Sequence, residues 1–259
     1  MATKPLILVT NDDGIFSPGI RMLVEVMQEI GEVVVVAPDS PQSGMGHAIT
    51  IGNTIRLEKS KLFPEIEAYE CSGTPADCVK IAKHFVLKNR VPHLVVSGIN
   101  HGSNSSISVL YSGTMSAAIE AALEGLPAIG FSLCDYDHNA DFQYIRSWVK
   151  QITETALTKG IPTGITLNVN FPSRKYAPLK GIKFCRQAIA RWEERFEERY
   201  DPYGRRYFWM AGDFDNKDVG EDTDEWALSN GYISIVPCTY DLTAHTSIGW
   251  LNRQWSYPS

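Results

Sequence analysis

The sequence contains no uninterrupted apolar stretch of the roughly 20 residues needed to cross a bilayer, and no basic segment followed by an apolar region at its start. Neither export nor membrane insertion is expected, and a cytoplasmic location is. Positive charge is also in short supply. The formal net charge of −6 removes the general attraction for nucleic acid polymers and for anionic membranes, so an anionic ligand must be held by local groups. Five cysteines, Cys71, Cys78, Cys134, Cys185 and Cys238, are odd in number and never spaced Cys-x-x-Cys. They read as reduced, mostly buried small residues rather than a disulfide framework or a redox pair. Several catalytic signatures are missing too. There is no Gly-x-x-x-x-Gly-Lys-Ser/Thr loop for a nucleoside triphosphate, no Gly-x-Gly-x-x-Gly after the first strand, no Gly-x-Ser-x-Gly elbow and no His-Glu-x-x-His pair.

What is present is an alternation of buried strands and amphipathic helices over the first two thirds of the 259 residues, enough chain for one large domain or two small ones. Leu6 to Thr10 is a non-alternating aliphatic run, the mark of a strand covered on both faces. Ser17-Pro18 opens a helix whose apolar face is Ile20, Leu23, Met27 and Ile30, ending at Gly31, and Val33 to Val36 is the next strand. Strand, helix and strand within about 35 residues make a βαβ unit and predict a mostly parallel, doubly wound sheet. Ile49 to Leu57 and Glu67 to Cys71 read as a hairpin outside that sheet. Thr74 with Asp77 forms a capping box for a helix through Phe85. Leu94 to Ser97, a helix from Met115 to Gly125, Ala128 to Ser132, a helix over 141–159 and Ile165 to Phe171 continue the pattern.

Beyond residue 180 the pattern changes. Residues 182–210 have strand-like composition around the turn Asp201-Pro202-Tyr203-Gly204, predicting a long, charged hairpin, which needs something to pack against. Asp213 to Glu225 reads as a solvated acidic loop. A strand over Tyr232 to Pro237 precedes an aromatic tail with Trp250, Trp255 and Tyr257.

Three loops that follow predicted parallel strands concentrate small polar residues, and in a doubly wound sheet all three lie on one edge. The first carries Asp12 and Asp13, and Gly14 permits the turn that would let both carboxylates approach one ion; an ordinary Asn-Asp-Gly turn explains the same residues. The second, from Pro38 to Gly46, carries Ser43. The third carries Asn100, Asn104, Ser112, Gly113 and Thr114 at a helix start, where unpaired backbone N–H groups attract phosphate; Ser112 or Thr114 acting only as a cap is the plainer reading. The available oxygen donors suit Mg²⁺, Mn²⁺ or Ca²⁺ rather than zinc. His47 and His101 lie in these loops without a catalytic pattern, and Arg21, Lys80 and Lys83 read as surface charges.

The stretches Ile7 to Gly14, Ala37-Pro38 with Gln42-Ser43-Gly44, Ser97 to Asn104, Tyr111-Ser112-Gly113-Thr114, Leu167 to Pro172 and Gly231 to Ser234 together resemble the SurE 5′/3′-nucleotidases, or survival protein E, nearly end to end. The resemblance implies a single domain over residues 1–259. Its Rossmann-like three-layer α/β core would span about 1–180. A hairpin and tail over about 181–259 would be exchanged between subunits of a homodimer or homotetramer. It implies one divalent cation per subunit, Mg²⁺ or Mn²⁺, held by Asp12, Asp13, Ser43 and Asn100, and phosphate bound near Asn104, Ser112, Gly113 and Thr114. Asp12 and Asp13 would then serve catalysis by holding the cation, since a cation-bound carboxylate is a poor base. The implied activity is hydrolysis of nucleoside 5′- and 3′-monophosphates. A phosphatase for short polyphosphate or another small phosphomonoester, and a non-catalytic nucleotide- or metal-binding protein, are the other readings. Ser105-Ser106-Ile107-Ser108 departs from the acidic or glycine residues of many relatives at that place, which bears on substrate preference.

Overall fold

The computed structural model describes residues 4–137 and 139–255, so His138 and Tyr257 lie outside them. β1 (Leu6–Thr10) and β2 (Glu32–Pro38) flank α1 (Pro18–Ile30), the βαβ unit expected from the sequence. β3 (Leu57–Lys59), β4 (Glu67–Cys71), α2 (Pro75–Ile81), β5 (Leu94–His101), α3 (Gly113–Leu123), β6 (Ala128–Cys134), α4 (Arg146–Lys159) and β7 (Ile165–Pro172) follow. β8 (Ile182–Phe184), β9 (Ala190–Tyr200), β10 (Arg206–Asn216), α5 (Asp224–Ser229), β11 (Ile233–Thr239) and α6 (His245–Gln254) complete the chain. No helix among the described residues is long and apolar enough to cross a membrane.

Among the described residues the main sheet has nine strands in the order β3-β4-β2-β1-β5-β6-β7-β11-β8. From β4 to β7 every pairing is parallel; β3 and β11 run antiparallel to their neighbours β4 and β7. Alternate residues of β1 enter opposite cores because strand side chains have a period of two. Ile7 and Val9 pack with α1 and α4 residues such as Leu23 and Val149. Leu6 and Leu8 pack with α2 and α3 residues such as Val79 and Met115. Helices on both faces give the three layers, and the non-alternating strand sequences follow from burial on both sides.

Two expectations are corrected. β4 is not part of an outlying hairpin: Glu67 to Cys71 pairs in parallel with Val34 to Pro38 inside the main sheet, and only the three-residue β3 adds an antiparallel edge. Short apolar runs do not reveal which sheet they join. The acidic stretch is a solvated loop only in its middle, over 217–222. Its first part belongs to β10, and Asp224 is buried, accepting hydrogen bonds from the Ser106 and Ala188 backbone N–H groups at 2.8 and 2.9 Å. Capping and satisfaction of buried amides outweigh the usual solvation of a charge run here.

The capping box at α2 is present: Thr74 Oγ1 accepts from Asp77 N, and the Asp77 carboxylate accepts from Thr74 N. At α1, Ser17 occupies the cap position but its hydroxyl accepts from Asn11 Nδ2 instead of capping.

Candidate functional site

The strand order reverses direction at β1. The chain steps outward through β2 and β4 and then returns to the other side of β1 with β5. Ligands of open α/β sheets bind outside the carboxyl ends of the strands at such a switch point. All three polar loops emerge there, and they are tied to one another. Gln42 N donates to Asp12 O at 2.8 Å, Ile15 N to Pro38 O at 2.9 Å and Gly46 N to Tyr111 O at 3.2 Å.

Gly14, at φ +88°, turns the chain directly after the two aspartates, so Asp12 and Asp13 are no longer bound to the alternation of a strand. Asp12 is buried and reaches the first turn of α3, where the Thr114 hydroxyl donates to its Oδ1. This close approach requires Gly113: a Cβ there would lie 2.5 Å from Asp12 Cβ and 2.8 Å from Oδ2. Asp13 is half-buried, and its Oδ2 accepts from the backbone N–H of His101 at 3.0 Å. Burial, reinforced by the charge of Asp13, pushes the Asp12 carboxyl up to about 6 against the hydrogen bonds from Thr114. Burial also raises Asp13, opposed by the His101 backbone. Among the described residues no lysine or arginine offsets either charge.

Asn100 ends β5 beyond a slip in register against β6 between Ser97 and Asn100, the kind of irregularity that re-aims a side chain. Its Nδ2 donates to Gly102 O at 2.9 Å, which leaves Oδ1 as its free polar atom. Ser43 stands on an exposed turn one residue after Gln42, whose amide is fixed to Asp12 O. Asn104 is buried and locked from three sides: its N donates to Asn170 Oδ1, its Nδ2 to Ser132 Oγ, and its carbonyl accepts from Asn168 Nδ2. Ser112 caps α3 by accepting from Met115 N at 3.0 Å. Thus Asp12 meets Gly113 and Thr114 at the start of α3, which Ser112 caps, Asp13 is tied to the end of β5 through His101, next to Asn100, Ser43 stands on the second loop, and Asn104 sits farther along the third.

Sequence reasoning missed two groups. Glu120 is buried on α3 and is held by His47 Nε2 at 2.9 Å and by Lys80 Nζ, so His47 anchors the second loop and Lys80 is not a free surface charge. The pair Asn168 and Asn170 on β7 supports the Asn104 loop from beneath. Asparagines in a buried strand were the available signal, because a buried amide needs partners.

Fold and site together define a Rossmann-like α/β protein with two adjacent carboxylates at the switch point of its sheet. The chain belongs to the survival protein SurE family: the model of that family matches residues 7–194. It is 78% identical over 255 residues to the 5′-nucleotidase SurE of Cytophaga hutchinsonii, covering 98% of both chains. It is 63% identical to the 5′-nucleotidase SurE of Flavobacterium psychrophilum, covering 97% of this chain and 98% of that one. The crystal structure of the SurE protein from Aquifex aeolicus superposes with a TM-score of 0.83 at 39% identity, covering 96% of this chain and 99% of the other.

Proposed function

We propose that this protein is a divalent-cation-dependent phosphomonoesterase that releases phosphate from nucleoside 5′- and 3′-monophosphates. The observation that carries the cation is the pair of adjacent carboxylates Asp12 and Asp13, held at the switch point by Thr114 and the His101 amide, with no lysine or arginine beside them among the described residues. The neighbouring donors are oxygens, as a hard cation prefers. Asp12, Asp13, Ser43 and Asn100 would hold it, one ion per chain. A divalent ion bound there supplies Lewis acidity, polarising a phosphoryl oxygen and making water a better nucleophile at neutral pH.

The chain's own residues do the rest. Thr114 and the first turn of α3 orient Asp12, and the His101 amide orients Asp13. Asn104, pinned by its three partners, and the hydroxyl-rich start of α3 offer neutral hydrogen-bond groups to the phosphoryl oxygens, so charge developing there meets fixed dipoles rather than mobile water. Relatives bearing the name 5′-nucleotidase support the nucleotide as substrate. The largely exposed outer part of the hairpin and the exposed helix α6 support assembly as a homodimer or homotetramer.

Purified protein with Mg²⁺ or Mn²⁺ is expected to release phosphate from nucleoside monophosphates faster than from polyphosphate or a sugar phosphate, and chelation is expected to stop it. Asp12→Asn and Asp13→Asn should each lower turnover by two orders of magnitude or more while leaving the circular dichroism spectrum unchanged. Phosphate release that survives chelation, or full activity in either variant, overturns the reading.

A further inference from the structure

A second cavity opens on the same edge of the sheet, on the far side of the loop that carries Asn100 and Asn104. Its volume is about 300 Å³, and its lining includes Ser105, Tyr136, Tyr176, Trp192, Phe214 and Glu225. That size lies at the lower end for small-molecule sites, which combine aromatic side chains with convergent polar groups, here Ser103, Ser105, Lys175 and Glu225. The loop joins it to the candidate catalytic centre. Asn100 and Ser105 are five residues apart, so they are separated by at most about 18 Å, and Tyr136, which lines the cavity, accepts a hydrogen bond from Ser103 N at 3.2 Å.

The walls are held in place. Trp192 and Phe214, facing each other across the β9–β10 hairpin, meet edge to face with ring centroids 5.4 Å apart. Ser103 and Ser105 share a hydrogen bond, and Ser105 Oγ donates to Glu225 Oε1, leaving Oε2 without a partner among the described residues. The hairpin base is bound to the loop by Ser106 Oγ donating to Ala188 O at 2.9 Å. Lys175 lines the cavity as well as Glu225, so the two charges offset one another, and a phosphomonoester would enter with its uncharged end against the aromatic wall and its phosphoryl group toward Asn104.

We propose that this cavity binds the nucleoside moiety of the substrate, with the base against the Trp192 wall and Glu225 accepting a hydrogen bond from a nucleoside hydroxyl or N–H. The inference rests on the nucleotidase reading for its substrate, and its test is independent of turnover. Adenosine and uridine, and separately inorganic phosphate with Mg²⁺, are titrated calorimetrically into the full chain. At least one nucleoside binds the wild type, and Trp192→Ala and Glu225→Gln each weaken it at least tenfold more than they weaken phosphate, the scale on which base stacking and a charge-assisted hydrogen bond act. No binding of either nucleoside to the wild type, or equal weakening of nucleoside and phosphate in both variants, overturns the proposal. Nucleoside binding that follows this pattern in a protein that releases no phosphate would leave the subsite standing and sink the nucleotidase reading instead.

Discussion

At the scale of single residues, the site depends on how closely Asp12 can approach α3. Gly113→Ala places a methyl group 2.5 Å from Asp12 Cβ, so the carboxylate must move or the helix must back away. A misplacement of about 1 Å can cost about 100-fold in rate, and turnover of Gly113→Ala is expected to fall by that order with only a small change in melting temperature. Activity within a factor of two of wild type would show that Asp12 tolerates the shift. Glu120 offers a test by pH. Burial raises its carboxyl, but hydrogen bonds from His47 and Lys80 outweigh burial and its net shift is downward. A lowered folded value stabilises the fold above the unfolded carboxyl range, near pH 4.3, and that stability fades as pH falls through the folded value. Glu120→Gln should therefore cost about 2 kcal/mol at neutral pH, and the gap from wild type in urea unfolding should shrink as pH drops below about 4. A gap that stays constant with pH would mean that the charge is not what matters. Asp12, Asp13 and Asn100 were readable as site candidates because polar residues just past a buried strand have no packing reason to be there. Glu120 was not readable, since one carboxylate in an alanine-rich helix looks like a solvent-facing residue until the fold turns it inward.

At the scale of elements, Asp224 joins pieces that sequence alone kept apart. It accepts from Ser106, Ala188 and its neighbour Glu225, clamping the third site loop to the base of the hairpin. Asp224→Ala leaves the first two amides buried without partners, at a cost of about 1–3 kcal/mol for each such group. We expect a loss of about 3 kcal/mol in urea unfolding and a lower kcat/KM, because the loop bearing Asn104 loosens. A loss below about 0.5 kcal/mol, the size of an ordinary surface change, would mean that water replaces the carboxylate. The parallel core was legible because periodicity and capping agree locally: Thr74 and Asp77 both predicted the α2 cap and both make it. Asp224 was hidden because its partners lie 118 and 36 residues away in sequence, and no local pattern encodes a contact that topology creates. The same reasoning explains β4, whose place in the sheet is set by its pairing with β2 rather than by its own five residues.

At the scale of the whole molecule, two segments leave large apolar side chains exposed. Among the described residues β9 and β10 pair only with each other, and such two-stranded ribbons are marginally stable alone. On either side of the turn they expose Phe196, Phe208, Trp209 and Met210, the last at 70%. α6 has no buried residue at all, and it presents Ile248 and Trp250 to solvent. Contiguous exposed apolar area of this kind marks an interaction surface, and a second copy is the partner that is always present at matching concentration. Closed symmetric assembly would cover both segments and end growth there. Light scattering of the purified protein is expected to give a mass of two or four chains. Replacing Phe196 and Trp209 together by aspartate should shift it to one chain, because burying a carboxylate in an apolar interface costs more than the interface returns. If the wild type is a monomer, or if the double variant keeps its assembly, the hairpin must be covered by something other than a copy of itself. The outcome also bears on the site. The hairpin supplies Trp192 and Phe214 to the cavity beside the third loop, and its base is anchored within the chain through Ser106 and Asp224, so a variant that loses assembly is expected to keep its nucleoside affinity, and a tenfold loss would show that the partner copy holds the cavity wall.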